Sequence, residues 1–171
     1  INEFAKLCDL SSKITKVKQE NWNKKWENNF NPVYINDKCV IRANFHEAFP
    51  NIEHEIIITP KMSFGTGHHE TTYLVMNEMF GIDFSDKSVL DMGSGTGVLA
   101  ILASKLGAKS VIGIDFDQWA YENALENSIV NEISTIIFRN GDVDSIGDAK
   151  FDIILANINR NIILQDIANY V

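Results

Sequence analysis

The chain has 171 residues, 45% of them hydrophobic, and a formal net charge of −8. That length can bury a proper core and suits one domain with at most an appended piece. No apolar run approaches the twenty or so residues of a membrane span and no secretory signal is visible, so a cytoplasmic protein without a membrane partner is expected. Cys8 and Cys39 are too far apart and too unpatterned for a redox or zinc motif and read as reduced thiols. His46, His54, His68 and His69 lack acidic or thiol partners at metal spacing, so no metal site is expected. Residues 1–50 hold eight Lys or Arg against six Asp or Glu, whereas residues 51–171 hold seven against seventeen. So acidic a segment should repel a nucleic-acid backbone, which points away from direct nucleic-acid binding and toward a basic protein substrate.

In chain order, residues 1–20 read as the remnant of another unit, a short apolar helix pattern followed by a lysine-rich alternating stretch. Trp22, Trp26 and Phe30 fall on one side of a helix over Asn21 to Phe30. That stripe suits packing between domains better than a binding platform. Val33 to Ile35 and Cys39 to Ala43 read as a hairpin across Asn36-Asp37-Lys38, and Glu55 to Thr59 as a further strand. Residues 21–60 are thus expected to be a linker of helix and strands, with the main domain over 61–171.

Next comes a loop rich in Gly, Thr and His, Pro60-Lys61-Met62-Ser63-Phe64-Gly65-Thr66-Gly67-His68-His69-Glu70-Thr71-Thr72, leading into an apolar helix. Glu70 and Thr71 read as its start. From Ser88 the chain alternates: strand 88–92, helix 97–106, strand 110–114, helix 118–130, strands 135–139 and 151–155, helix 160–170. Alternation of this kind implies an α/β fold with a doubly wound parallel sheet. Ligands in such sheets sit beyond the carboxyl ends of the strands, where Asp91, Asp115, Asp142 and Asn157 all fall. Between the first strand and its helix lies Asp91-Met92-Gly93-Ser94-Gly95-Thr96-Gly97, a turn in which glycines allow close ligand approach and the following helix points free N–H groups at a bound molecule. Asp115 suits the two hydroxyls of a ribose; Asp117 opens the next amphipathic segment and reads as its cap. Asp142 reads on its own as an ordinary turn aspartate.

The D-x-G-x-G-x-G pattern from Asp91 to Gly97 resembles motif I of the S-adenosylmethionine-dependent methyltransferases. Together with the F-G-T-G-x-H-x-T-T loop, the Trp22, Trp26, Phe30 stripe and Leu155-Ala156-Asn157-Ile158, residues 20–171 resemble the PrmA family, bacterial methyltransferases of large-subunit ribosomal protein eleven. The resemblance implies a Rossmann-like class I methyltransferase domain that takes S-adenosyl-L-methionine. Phe64 and Thr72 would enclose that cofactor, with Gly93 and Gly95 beneath its methionine part. Asp91 and Gly97 complete the cradle, Asp115 would hold the ribose, and Asn157 would sit beside the transferring methyl as the catalytic residue. For Asp142 the resemblance to the superfamily implies an acceptor for a base amino group at its strand end. Phe64 can equally be core packing, His68 and His69 loop structure, and Asn157 a residue that shapes the strand end.

Glutamine- and adenine-modifying relatives carry N-P-P-Y where this chain has Asn157-Ile158-Asn159-Arg160, which favours an aliphatic amine acceptor: lysine side chains and the N-terminal amine of the ribosomal protein. Measured against the family the chain reads as truncated at both ends, with C-terminal strands missing, and self-association of the segment is expected. Two rival readings are a nicotinamide-dependent oxidoreductase, disfavoured by the glycine spacing, and a non-catalytic S-adenosylmethionine-fold binding module. Another protein or a small amine is the alternative acceptor.

Overall fold

The computed structural model describes residues 30–61 and 63–170, so the expectations for residues 1–29, the terminal remnant and the tryptophan-bearing helix among them, lie outside the described residues. Asn31–Val171 forms a compact unit of its own. It holds two sheets. The first joins β1 (Val33–Ile35), β2 (Cys39–Ala43) and β3 (His54–Ile58), with β1 antiparallel and β3 parallel to β2. The expected hairpin is present, closed by Asn36 in a left-handed conformation (φ 54°), which Asn tolerates better than most residues. Every residue of β2 is buried. A segment expected to be a linker therefore supplies a packed layer.

After α1 (Glu70–Met79) the chain builds the second sheet from β4 (Ser88–Met92), β5 (Ser110–Asp115), β6 (Ile136–Asn140) and β7 (Ile153–Leu155). Its order is β6-β5-β4-β7, and every pairing is parallel. The connections carry α2 (Val98–Lys105), α3 (Gln118–Val130) and a 3-10 turn at Val143–Ile146, and α4 (Arg160–Tyr170) follows β7. This is the expected doubly wound α/β architecture. Leu90, Met92 and Ile114 on one sheet face pack with Ile146, Val143, Phe151, Ile158 and Tyr170. On the opposite face Asp91 meets the first turn of α2. Strand alternation thus sends Leu90 and Met92 into apolar core and Asp91 under a helix.

β7 is shorter than the expected 151–155, and only Leu155 of its three residues is fully buried. Asp152 holds its entry: the carboxylate accepts from the Ser88 backbone N–H and hydroxyl, both at 2.8 Å, while the Asp152 N–H returns a bond to the Ser88 carbonyl at 2.9 Å. A side-chain clamp replaces two residues of ladder. Among the described residues β4 is the one neighbour of β7, so the other edge of β7 is unpaired.

Candidate active site

Beyond the carboxyl ends of β4, β5, β6 and β7 lies a cleft of about 690 Å³, within the range of roughly 300–1,000 Å³ that takes a nucleoside-sized ligand. Phe64, Gly93, Gly95, Asp115, Asp142 and Asn157 line it, six of the residues expected from sequence. Asp117 and Asp166 add two more carboxylates, and among the described residues no Lys, Arg or His lines the cleft. Such a cleft favours a cationic ligand.

Asp115 is nearly buried, at 8% exposure. One carboxylate oxygen accepts from the Gly95 N–H at 2.8 Å and the other from the Asp117 N–H at 3.0 Å. Each oxygen keeps a lone pair for a further donor, as a vicinal diol requires. Asp117 caps α3 through the Trp119 N–H at 2.8 Å, as expected, while its side chain borders the cleft. Asn140 donates to the carbonyls of Asp115 and Phe116, both at 3.1 Å, and so fixes the loop that carries them. Asp142 caps the 3-10 turn by accepting from the Asp144 N–H at 3.1 Å, so its turn role and its cleft position coexist.

Asp91, Gly97 and Thr72 do not line the cleft; they stand behind it. Thr72 is fully buried, and its hydroxyl accepts from the Asn157 side-chain N–H at 3.2 Å. Tied in this way, Asn157 keeps its amide oxygen as the acceptor it can offer a ligand. Gly97 ends the turn as the N-cap of α2, packed against Phe138. Asp91 is fully buried; one carboxylate oxygen accepts from the Ala100 N–H at 3.1 Å and the other has no partner among the described residues. Burial pushes its pKa up to about 7, against the lowering effect of the Ala100 bond and with a further push from the Asp115 charge.

The N–H groups of the turn itself are taken up within the protein: Gly93 and Ser94 donate to the Ile114 carbonyl, Thr96 to that of Phe64, Gly97 to that of Ser94, and Gly95 to Asp115. In the helix that follows, Ala100 donates to Asp91 and Ile101 to the Gly97 carbonyl. Its glycines answer to the protein's own packing as much as to a ligand. A Cβ on Gly95, which sits at φ 55°, would come within 2.3 Å of the Phe64 carbonyl oxygen, and one on Gly93 within 2.1 Å of the Ile158 side chain. The Phe64 loop and the glycine turn are built against each other. His69 is the N-cap of α1, accepting from the Thr71 N–H at 3.2 Å, and His68 lies 3.0 Å from the Asn31 carbonyl oxygen, so both histidines serve the loop.

Sequence reasoning missed Phe116, whose ring is 79% exposed on the cleft wall, although an aromatic directly after the strand-end acid was a readable signal. The helix expected over 160–170 is present as α4, but sequence reasoning did not foresee that it turns Ile162 and Asp166, one helical turn apart, onto the cleft. Among the described residues no group of three or more His, Cys, Asp or Glu could hold a metal ion.

A family model described as Ribosomal protein L11 methyltransferase (PrmA) matches residues 2–170. The chain belongs to this family. A ribosomal protein L11 methyltransferase of Porphyromonas gingivalis is 53% identical over 152 residues, which are 88% of this chain and 52% of the relative. One of Bacteroides thetaiotaomicron is 47% identical over 175 residues, covering all of this chain and 62% of the relative. The chain therefore spans about half to three fifths of the length of these family members. The crystal structure of a ribosomal protein L11 methylase from Lactobacillus delbrueckii subsp. bulgaricus superposes with a TM-score of 0.74 at 32% identity, over 81% of this chain and 72% of that one. The Rossmann-like α/β fold of the PrmA family is thus the fold of this chain.

Proposed function

We propose that the cleft binds S-adenosyl-L-methionine and that the protein transfers its methyl group to amino groups of a ribosomal protein, the substrate named for its relatives. The observation that carries this reading is the lining itself: among the described residues it holds four carboxylates, no basic side chain, and an exposed aromatic ring beside the buried Asp115. S-Adenosylmethionine carries a sulfonium and an ammonium against one carboxylate, so an acid-lined cleft complements it, whereas a pyrophosphate would be repelled.

Asp115 would accept both ribose hydroxyls, Phe116 would lie against the base, and Asp142 would take the base amino group. Gly93, Gly95 and Phe64 would border the methionine part. The cofactor supplies an already activated methyl on sulfur. What remains for the protein is to align an amine in line with that bond and to keep water out. Asn157 serves that task, because Thr72 holds its amide nitrogen and leaves the oxygen to accept an N–H of the incoming amine. A lysine ammonium must first lose its proton, its pKa being about 10.4 in water.

Calorimetry tests the binding half. S-Adenosylmethionine and S-adenosylhomocysteine should bind and NAD should not, and Asp115→Ala should weaken binding at least tenfold, since each lost charge-assisted bond is worth about 1.5–3 kcal/mol. Unchanged affinity in that variant would sink the ribose assignment. Labelled S-adenosylmethionine supplied with ribosomal proteins tests the transfer: the label should appear on amines of one ribosomal protein. If transfer is seen, Asn157→Ala should depress turnover far more than cofactor affinity.

A further inference from the structure

Three asparagines on one side of α3, at Asn123, Asn127 and its C-cap Asn131, bind backbone groups in an unusual way for a helix. Asn131 pairs with both backbone groups of Ile57 in β3, its side chain accepting from the N–H at 3.0 Å and donating to the carbonyl at 2.6 Å. Asn123 donates to the Thr59 carbonyl at 3.0 Å. Asn123 thus ties α3 to the residue after β3, and Asn131 ties it to β3 while also donating to the Asn127 carbonyl at 2.8 Å. Asn127, fully buried, differs: its side-chain oxygen accepts from the Thr59 N–H at 2.8 Å while its nitrogen donates to the Thr96 carbonyl at 2.9 Å.

The Thr96 carbonyl needs that donor. In a regular helix it would accept from the Ala100 N–H, but Asp91 takes that N–H, and the first bond of α2 runs from Ile101 to Gly97. Thr96 in turn holds the root of the upstream loop, its N–H donating to the Phe64 carbonyl at 2.8 Å and its hydroxyl to the Gly65 carbonyl at 2.7 Å. Both Phe64 and Gly95, on either side of Thr96 in this chain of bonds, line the cleft. Asn127 does not touch the cleft. It fixes the residue on which two of the cleft's walls meet.

We propose that Asn127 is a positioning residue which sets cofactor affinity by locking Thr96, and through it the Phe64 loop, against the glycine turn. This rests on the reading of the cleft as an S-adenosylmethionine site. Asn131→Ala is the control, since it removes the bonds to Ile57 and to the Asn127 carbonyl but leaves both side-chain bonds of Asn127, to Thr59 and to Thr96, in place. Thermal melts and calorimetric titration with S-adenosylhomocysteine should show that both Asn127→Ala and Asn131→Ala lower the melting temperature. Affinity should fall about tenfold or more in Asn127→Ala alone and stay within about twofold in Asn131→Ala. Equal affinity losses in the two variants would make Asn127 a structural residue and overturn the inference. Should Asn127→Ala fail to fold, Thr96→Val cuts the same path one step nearer the cleft at nearly constant volume. A loss of about tenfold there supports the proposal, and binding within about twofold of wild type refutes it. A wild-type chain that binds no S-adenosylhomocysteine would overturn the functional reading and this inference together.

Discussion

Asp91 is the residue whose burial ties the stability of the fold to pH. Its carboxyl holds a proton to about pH 7 in the fold, whereas an unfolded aspartate releases it near 3.9. Between those values the unfolded state binds fewer protons than the native state, so this group lowers stability progressively as pH rises from about 4 through 7. Asp91→Asn keeps an oxygen for the Ala100 N–H and removes the charge. Its melting temperature should exceed that of the wild type by about 2–6 °C at pH 8, with the gain vanishing near pH 4. A gain equal at both pH values would show that the buried charge is not its source. The role of Asp91 under the turn was legible only in part from sequence, because its position in the motif suggests contact with a ligand while the strand alternation that buries it beneath α2 depends on the sheet.

At the level of elements, the glycine turn and the Phe64 loop form one device. Gly95→Ala places a Cβ against the Phe64 carbonyl oxygen at 2.3 Å and forces an L side chain into φ 55°, so it should both destabilise the fold and displace Phe64. Gly107 is also left-handed, at φ 97°, but its Cβ would meet nothing nearer than 3.8 Å. Gly107→Ala should cost only the backbone strain, about 1–2 kcal/mol, and leave S-adenosylhomocysteine affinity as it was. Parallel melts and titrations separate the two, and similar affinity losses would mean that the loop is not seated on the turn. The helix and strand pattern around this device was readable: α3 begins and ends where its apolar spacing and the Asp117 cap place it. The asparagine row on α3 was not, since polar residues at helical spacing ordinarily mark a solvated face. Only the proximity of β3, whose last residues need side-chain partners, turns Asn123, Asn127 and Asn131 inward.

For the molecule as a whole, two opposing effects decide how it behaves in solution. Among the described residues β7 pairs with β4 alone and β6 with β5 alone, so each leaves one strand edge open. Ile137 on β6 and Ile162, Leu164 and Ile167 on α4 are all more than two fifths exposed, and α4 has no fully buried residue. Open edges flanked by apolar side chains are templates for pairing with another chain. Against this stands the net charge of −8, which makes two copies repel. The repulsion acts over a Debye length of about 10 Å at 0.1 M salt and about 3 Å at 1 M, while apolar contact is not screened. The 171-residue chain should therefore self-associate in a concentration-dependent manner, and more strongly as salt is raised. Sedimentation velocity across both variables measures this. A monomer at every concentration and salt level would show that α4 and the two edges are compatible with a solitary fold, and association that weakens with salt would place its origin in charge pairs rather than in the open edges.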